Sequence, residues 1–174
     1  MTPWIGNTTS GAVFSPCRQY RYTLWRRWVD ECPLGRMCCF IGLNPSTADE
    51  TLDDPTIRRC IGFSKAWGFD GYVMLNAFAY RATDPKVMKR QVSPVGERNA
   101  EAIAAVAAGA GRVVVAWGNH GEHANQCQRV IDLLPSNVLC LGTTSTGQPK
   151  HPLYLASNTT PIAFVSKKRQ TNPI

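Results

Sequence analysis

The segment Gly42-Leu43-Asn44-Pro45-Ser46-Thr47-Ala48-Asp49-Glu50 sets a carboxamide and two carboxylates just past an apolar run. A small residue, a carboxamide and a proline at a strand end hold the backbone close to a ligand and aim a polar group at it. Asp49, Glu50, Asp53 and Asp54 cluster here, in a chain with only 12 acids. Asp53 and Asp54 read as negative charge at a helix start, since Asp54 precedes Pro55 and acids favour the positive end of the helix dipole. Asp49 is the acid singled out for a site role. A second segment, Asn76-Ala77-Phe78-Ala79-Tyr80-Arg81, mixes a carboxamide, two aromatics and a guanidinium. That mixture suits a flat heterocycle, with amide atoms to read an edge and a ring to stack on a face. The alternative is that Phe78 and Tyr80 are core and Arg81 pairs with Asp84. Arg58 and Arg59 are candidates for phosphate or for plain surface. The pair His120-x-x-His123 is a weak metal signal, because Glu122 between them completes no hydrolytic zinc motif. His151-Pro152 follows a glycine-rich loop, where a neutral histidine can donate to a developing anion.

These segments need a frame, and the apolar pattern supplies one. Tyr20–Trp28 reads as a strand. Arg36–Leu43, Gly71–Ala77, Arg112–Trp117 and Asn137–Leu141 read as four core strands, and such continuous apolar runs suit a sheet covered on both faces. Helices are expected at Pro55–Trp67, at Pro94–Ala108 with Ser93 as cap, and at Glu122–Leu134. Strands alternating with helices give crossover units. The expected fold class is α/β, a three-layer sandwich on a central, mostly parallel four-stranded sheet with an N-terminal strand or hairpin. One domain should span residues 1–174, with 1–16 and 167–174 as irregular ends. Ligands of such sheets bind beyond the carboxyl ends of the strands, where all the polar segments would gather.

Composition narrows the classes. The 174 residues carry 19 Lys plus Arg against 12 acids, a net charge of +7, and 13 of the cations are Arg. Arginine suits bidentate phosphate contacts, so nucleic acid is a compatible partner alongside a merely basic surface. No apolar stretch reaches the ~18 residues of a membrane span, and residues 1–15 hold no signal pattern. A cytoplasmic protein is expected. The seven cysteines are odd in number and form no C-x-x-C, which favours buried thiols over disulfides or metal. No metal and no cofactor are expected.

Four segments, in order, resemble the motifs of the uracil-DNA glycosylase superfamily in its mismatch-specific form. They are Gly42–Ser46, Gly71–Ala77 ending in Asn76, Val115–Gly121 with its Trp117-Gly118, and His151–Leu155. The chain also resembles a small bacterial and phage family with a domain of unknown function, through Gly42–Glu50, Asp53–Arg59, Ala79–Pro85, Ala116–Gly121 and His151–Leu155. The glycosylase resemblance implies that Asn44 positions water, Asn76 reads the edge of an extruded base and His151 bonds the base oxygen as charge builds on it. From the residues themselves, Phe78, Tyr80 and Ser46 are candidates beside the base, Arg58, Arg59, Arg81 and Lys150 are candidates toward phosphate, and Asp49 is a candidate catalytic residue. Departures are specific. Asn44 stands where efficient uracil enzymes carry aspartate, Ser46 is small where thymine is blocked by bulk, and Leu153 replaces a serine. The expected activity is cleavage of the N-glycosidic bond of a modified or mismatched base, in DNA or a nucleotide, by a monomer. The alternatives are a non-catalytic base-binding module and a DNA-base-modification enzyme, the latter using Asp49 or Asp53 as its base.

Overall fold

In the computed structural model, which describes residues 2–166, strand β3 (Met37–Gly42) shows how the sequence makes layers. Met37, Cys39 and Ile41 point to one face and Cys38 and Phe40 to the other, the two-residue alternation of a strand. Strand β4 (Gly71–Asn76) splits its side chains alike, Val73 and Leu75 against Tyr72 and Met74. So does β5 (Arg112–Val115), with Val113 and Val115 opposite Val114. Both faces are therefore apolar and both must be covered. One face takes helix α1 (Pro55–Ala66) through Ile57, Cys60 and Phe63. The other takes α3 (Asn99–Gly109) through Ala102, Ile103 and Val106, and α4 (Gln126–Asp132) through Val130 and Ile131.

The strand order is β1-β2-β4-β3-β5-β6-β7, where β1 is Ser10–Phe14, β2 Arg21–Arg27, β6 Leu139–Cys140 and β7 Ile162–Ala163. Neighbours β4, β3, β5 and β6 pair in parallel. The pairs β1–β2, β2–β4 and β6–β7 are antiparallel. The expected four-stranded sheet is thus corrected, among the described residues, to one mixed sheet of 7 strands. The extra strands escape a search for apolar runs because β1 and β7 are short edge strands with largely exposed or half-buried side chains. Strand β1 pairs with β2 as an N-terminal hairpin, one of the two expected forms, although it lies inside the stretch expected to be irregular; residues 167–174 fall outside the described residues.

Two helix expectations shift for local reasons. The segment at Pro94 is not helical, because the Pro94 and Val95 carbonyls accept from Tyr80 N and Ala79 N, and Gly96 turns with φ 83°. Helix α3 begins only at Asn99. The expected helix from Glu122 is broken by Ala124 and Asn125, whose φ values are 53° and 55°. A 3-10 segment, Asn119–Asn125, precedes α4 instead. A short helix α2 (Pro85–Lys89), capped by Asp84, was not anticipated. Cys32, Cys38, Cys39, Cys60 and Cys140 are buried, whereas Cys17 is exposed. Among the described residues no helix is long and apolar enough to cross a membrane.

Candidate functional site

The carboxyl ends of β3, β4 and β5 open onto a cleft of about 660 Å³. Its lining includes Asn44 and Ser46 after β3, Asn76 at the end of β4, Gly118 and His120 after β5, and His151. Residues more than a hundred positions apart meet because parallel strands deliver all their following loops to one edge. Among the described residues Asp54 is the only acid in this lining.

Each polar group has a fixed role in its own neighbourhood. Asn44 donates through Nδ2 to the carbonyls of Pro45 (3.1 Å) and Ala82 (2.7 Å). Its amide is thereby locked with the oxygen as the atom left to accept, so Asn44 can orient water but cannot take its proton. Asn76 is 1% exposed, and its Oδ1 accepts from Arg21 Nη2 at 3.2 Å while its Nδ2 is buried without a partner. Gly42 lets the amide lie close to the backbone: a Cβ there would stand 3.0 Å from Asn76 Nδ2 and 3.0 Å from Met74 Cε and would crowd both. His151 accepts from Leu153 N at Nδ1 (3.3 Å), which leaves the ring proton on Nε2. Burial lowers its pKa below the ordinary value of 6.5 despite the opposing pull of Asp54, so the ring is a neutral donor at pH 7.

Asp54 caps α1, accepting from Ile57 N at 2.8 Å, and the next residue is Pro55 at the first helical position. The same cap that starts the helix aims a carboxylate at the cleft. Asp53 instead pairs with Arg26 at 2.8 Å. Asp49 does not line the cleft: its Oδ1 accepts from Thr51 N (2.9 Å) and Leu52 N (2.8 Å), bonds that tie its own loop and lower its pKa.

The aromatic candidates are elsewhere too. Phe78 is 0% exposed in the core with its ring 5.7 Å from that of His123, and Tyr80 meets Tyr20 edge-on at 5.6 Å. His123 is therefore drawn to Phe78, while His120 Nδ1 lies 3.1 Å from Lys89 Nζ at the rim. The pair diverges, and among the described residues no cluster of three His, Cys, Asp or Glu could hold a metal. Arg58 donates to the Asp53 carbonyl and Arg59 to that of Leu155. Arg81 donates to Arg18 O at 3.3 Å and lies over the Phe14 ring. Lys150 is exposed and outside the lining.

Three supporting residues carry no signal in the sequence pattern. Asn99 Nδ2 donates to the Asn76 and Ala77 carbonyls (2.9 and 3.1 Å), and Gln126 Nε2 donates to Ala77 O at 2.8 Å. Both are buried polar residues at helix starts, and they tether the end of β4. Arg21, 1% exposed, lines the cleft from the antiparallel strand β2. Burial pulls its guanidinium down to about 10, against the opposing influence of Tyr72 and Asp54, so it stays charged at neutral pH.

The model of the family described as "Protein of unknown function (DUF1643)" matches residues 21–153, and the chain belongs to that family. The match spans every residue of the cleft lining named above. No curated protein and no solved structure matches the chain.

Proposed function

We propose that this member of the DUF1643 family is a uracil-DNA glycosylase-like hydrolase that cleaves the N-glycosidic bond of a modified or mismatched base in DNA or a nucleotide. The observation that carries the reading is the convergence of Asn44, Asn76 and His151 on one cleft beside the carboxylate of Asp54. The four motifs of the sequence add their order along the chain to that support.

The chemistry follows from what each group can do. In glycosidic hydrolysis positive charge builds on the sugar and negative charge on the departing base. Water bonds to the sugar carbon as the carbon–nitrogen bond breaks, and the electron pair leaves with the base. His151 Nε2–H and Asn76 Nδ2–H are donors set to bind the base where that charge appears. Asn44 Oδ1 accepts from the water and orients it. Asp54 stands in for the aspartate absent at position 44: its negative charge favours the sugar cation, and it takes the water proton. Extruding a base from a duplex costs a few kcal/mol, which contacts to phosphate must offset.

A non-catalytic base-binding module is the second reading, favoured by the locked amide of Asn44, which holds no proton acceptor at the expected position. Release of free base from DNA carrying assorted modified and mismatched nucleotides separates the two. A hydrolase releases base, and His151→Ala lowers the rate on the order of 100-fold while DNA affinity changes far less, because the donor acts mainly in the transition state. No release from any substrate, with His151→Ala and Asn76→Ala weakening binding equally, leaves the binding module.

A further inference from the structure

Arg21 is a buried cation whose hydrogen bonds all go to uncharged acceptors. Its Nη1 donates to Ala48 O at 3.0 Å and its Nη2 to Asn76 Oδ1 at 3.2 Å, while its Nε is buried without a partner. Among the described residues no carboxylate lies within ion-pair distance of it, although Asp54 and Arg26 and Arg81 act on it from farther away. Buried charges ordinarily carry an opposite partner.

The arrangement also decides which way the Asn76 amide faces. A guanidinium only donates, so the amide oxygen must turn to Arg21, and the amide nitrogen is what remains. That nitrogen and Arg21 Nε are both buried without a partner on residues that line the cleft. A positive charge without an ion-pair partner and a donor without an acceptor therefore stand at the two ends of one amide group.

We infer that Arg21 is a positioning residue that makes the cleft floor an anion-preferring donor site. It fixes the Asn76 amide with Nδ2–H free, so the ligand atom bonded there is an oxygen or ring nitrogen carrying negative charge. The ligand class is a heterocycle with an ionisable imide or lactam, whose carbonyl oxygen holds the charge once the proton is lost. An exocyclic amine at the same place would set donor against donor. The inference rests on the base-binding half of the reading above and not on bond cleavage.

The test is calorimetric titration of the protein with two free bases, 5-nitrouracil, ionised at neutral pH, and uracil, neutral there. Hydrogen bonds to charged groups are the stronger class, so the ionised base is expected to bind about tenfold tighter. In Arg21→Met that ratio falls toward one, Arg21→Lys keeps part of it, and thermal unfolding run in parallel shows whether each variant is folded. Equal affinity of the wild-type protein for both bases overturns the inference, as does binding of neither, and both are read without any variant. A third arm uses inorganic phosphate: if it displaces 5-nitrouracil in an Arg21-dependent way, the anion held is phosphate and the inference fails. An intact preference with no base release from DNA overturns only the hydrolase.

Discussion

The loops after β3 and β4 contain similar polar and small residues, yet they do different work. In the first, Asn44, Ser46 and Asp54 reach the cleft. In the second, only Asn76 at the strand end and Ala82 and Thr83 at the far side do so. Between them the backbone of Ala79 and Tyr80 is held like part of the sheet: Arg21 N bonds Ala79 O, Ala79 N bonds Val95 O and Tyr20 bridges Tyr80. A loop whose amides are claimed by neighbouring segments spends its aromatics on the core. A loop whose N–H groups at Asp49, Thr51 and Leu52 bond within itself keeps polar side chains to present. Composition does not separate these cases, whereas backbone pairing does.

Phe78→Ala probes the second loop and has the largest expected effect. Removing a fully buried phenyl costs about 3–5 kcal/mol of stability, read from the denaturation midpoint. If stability hardly changes and base binding disappears, Phe78 stacks on a ligand and the contrast between the loops collapses. Asp54→Asn probes the first loop next. Asparagine caps a helix as well as aspartate, so α1 should keep its stability. Loss of a carboxylate acting on the reacting water should lower base release by about 100-fold or more. DNA affinity should hold or rise, since one negative charge is gone from a polyanion site. A stable variant with full activity would remove Asp54 from the chemistry.

The smallest effect is on pH dependence. The pKa of His151 is lowered on folding, so below its ordinary value near 6.5 the unfolded chain binds the proton more readily. Stability is therefore greatest above pH 6.5 and declines as pH falls through the window between the unfolded and folded values. His151→Gln should flatten that stretch of the stability profile, and an unchanged slope would assign it to other groups.

Much of the site was legible because strand ends are. An apolar run that stops at a polar residue marks Asn44 and Asn76, and the glycine-rich loop marks His151. What was not legible depends on tertiary position. Asp49 and Asp54 both accept backbone N–H groups nearby, one closing a turn and the other starting a helix. Only the fold places the second, not the first, against the cleft. Arg21 sits in the strand expected at Tyr20–Trp28, and nothing local separates it from Arg27, whose guanidinium donates to Gly6 O and Thr8 O. Strand β7 and helix α2 carry no sequence signal because short elements leave too few residues for a period to show.

The clamp on the end of β4 has a consequence for association. Asn99 and Gln126, from two different helices, hold the carbonyls of Asn76 and Ala77. The conformational entropy of this corner is lost when the chain folds, before any guest arrives. A molecule entering the cleft need then order little more than itself, and removal of water from the floor becomes the principal cost. Backbones with and without the guest should superpose at β4 within the small shifts of preorganised sites.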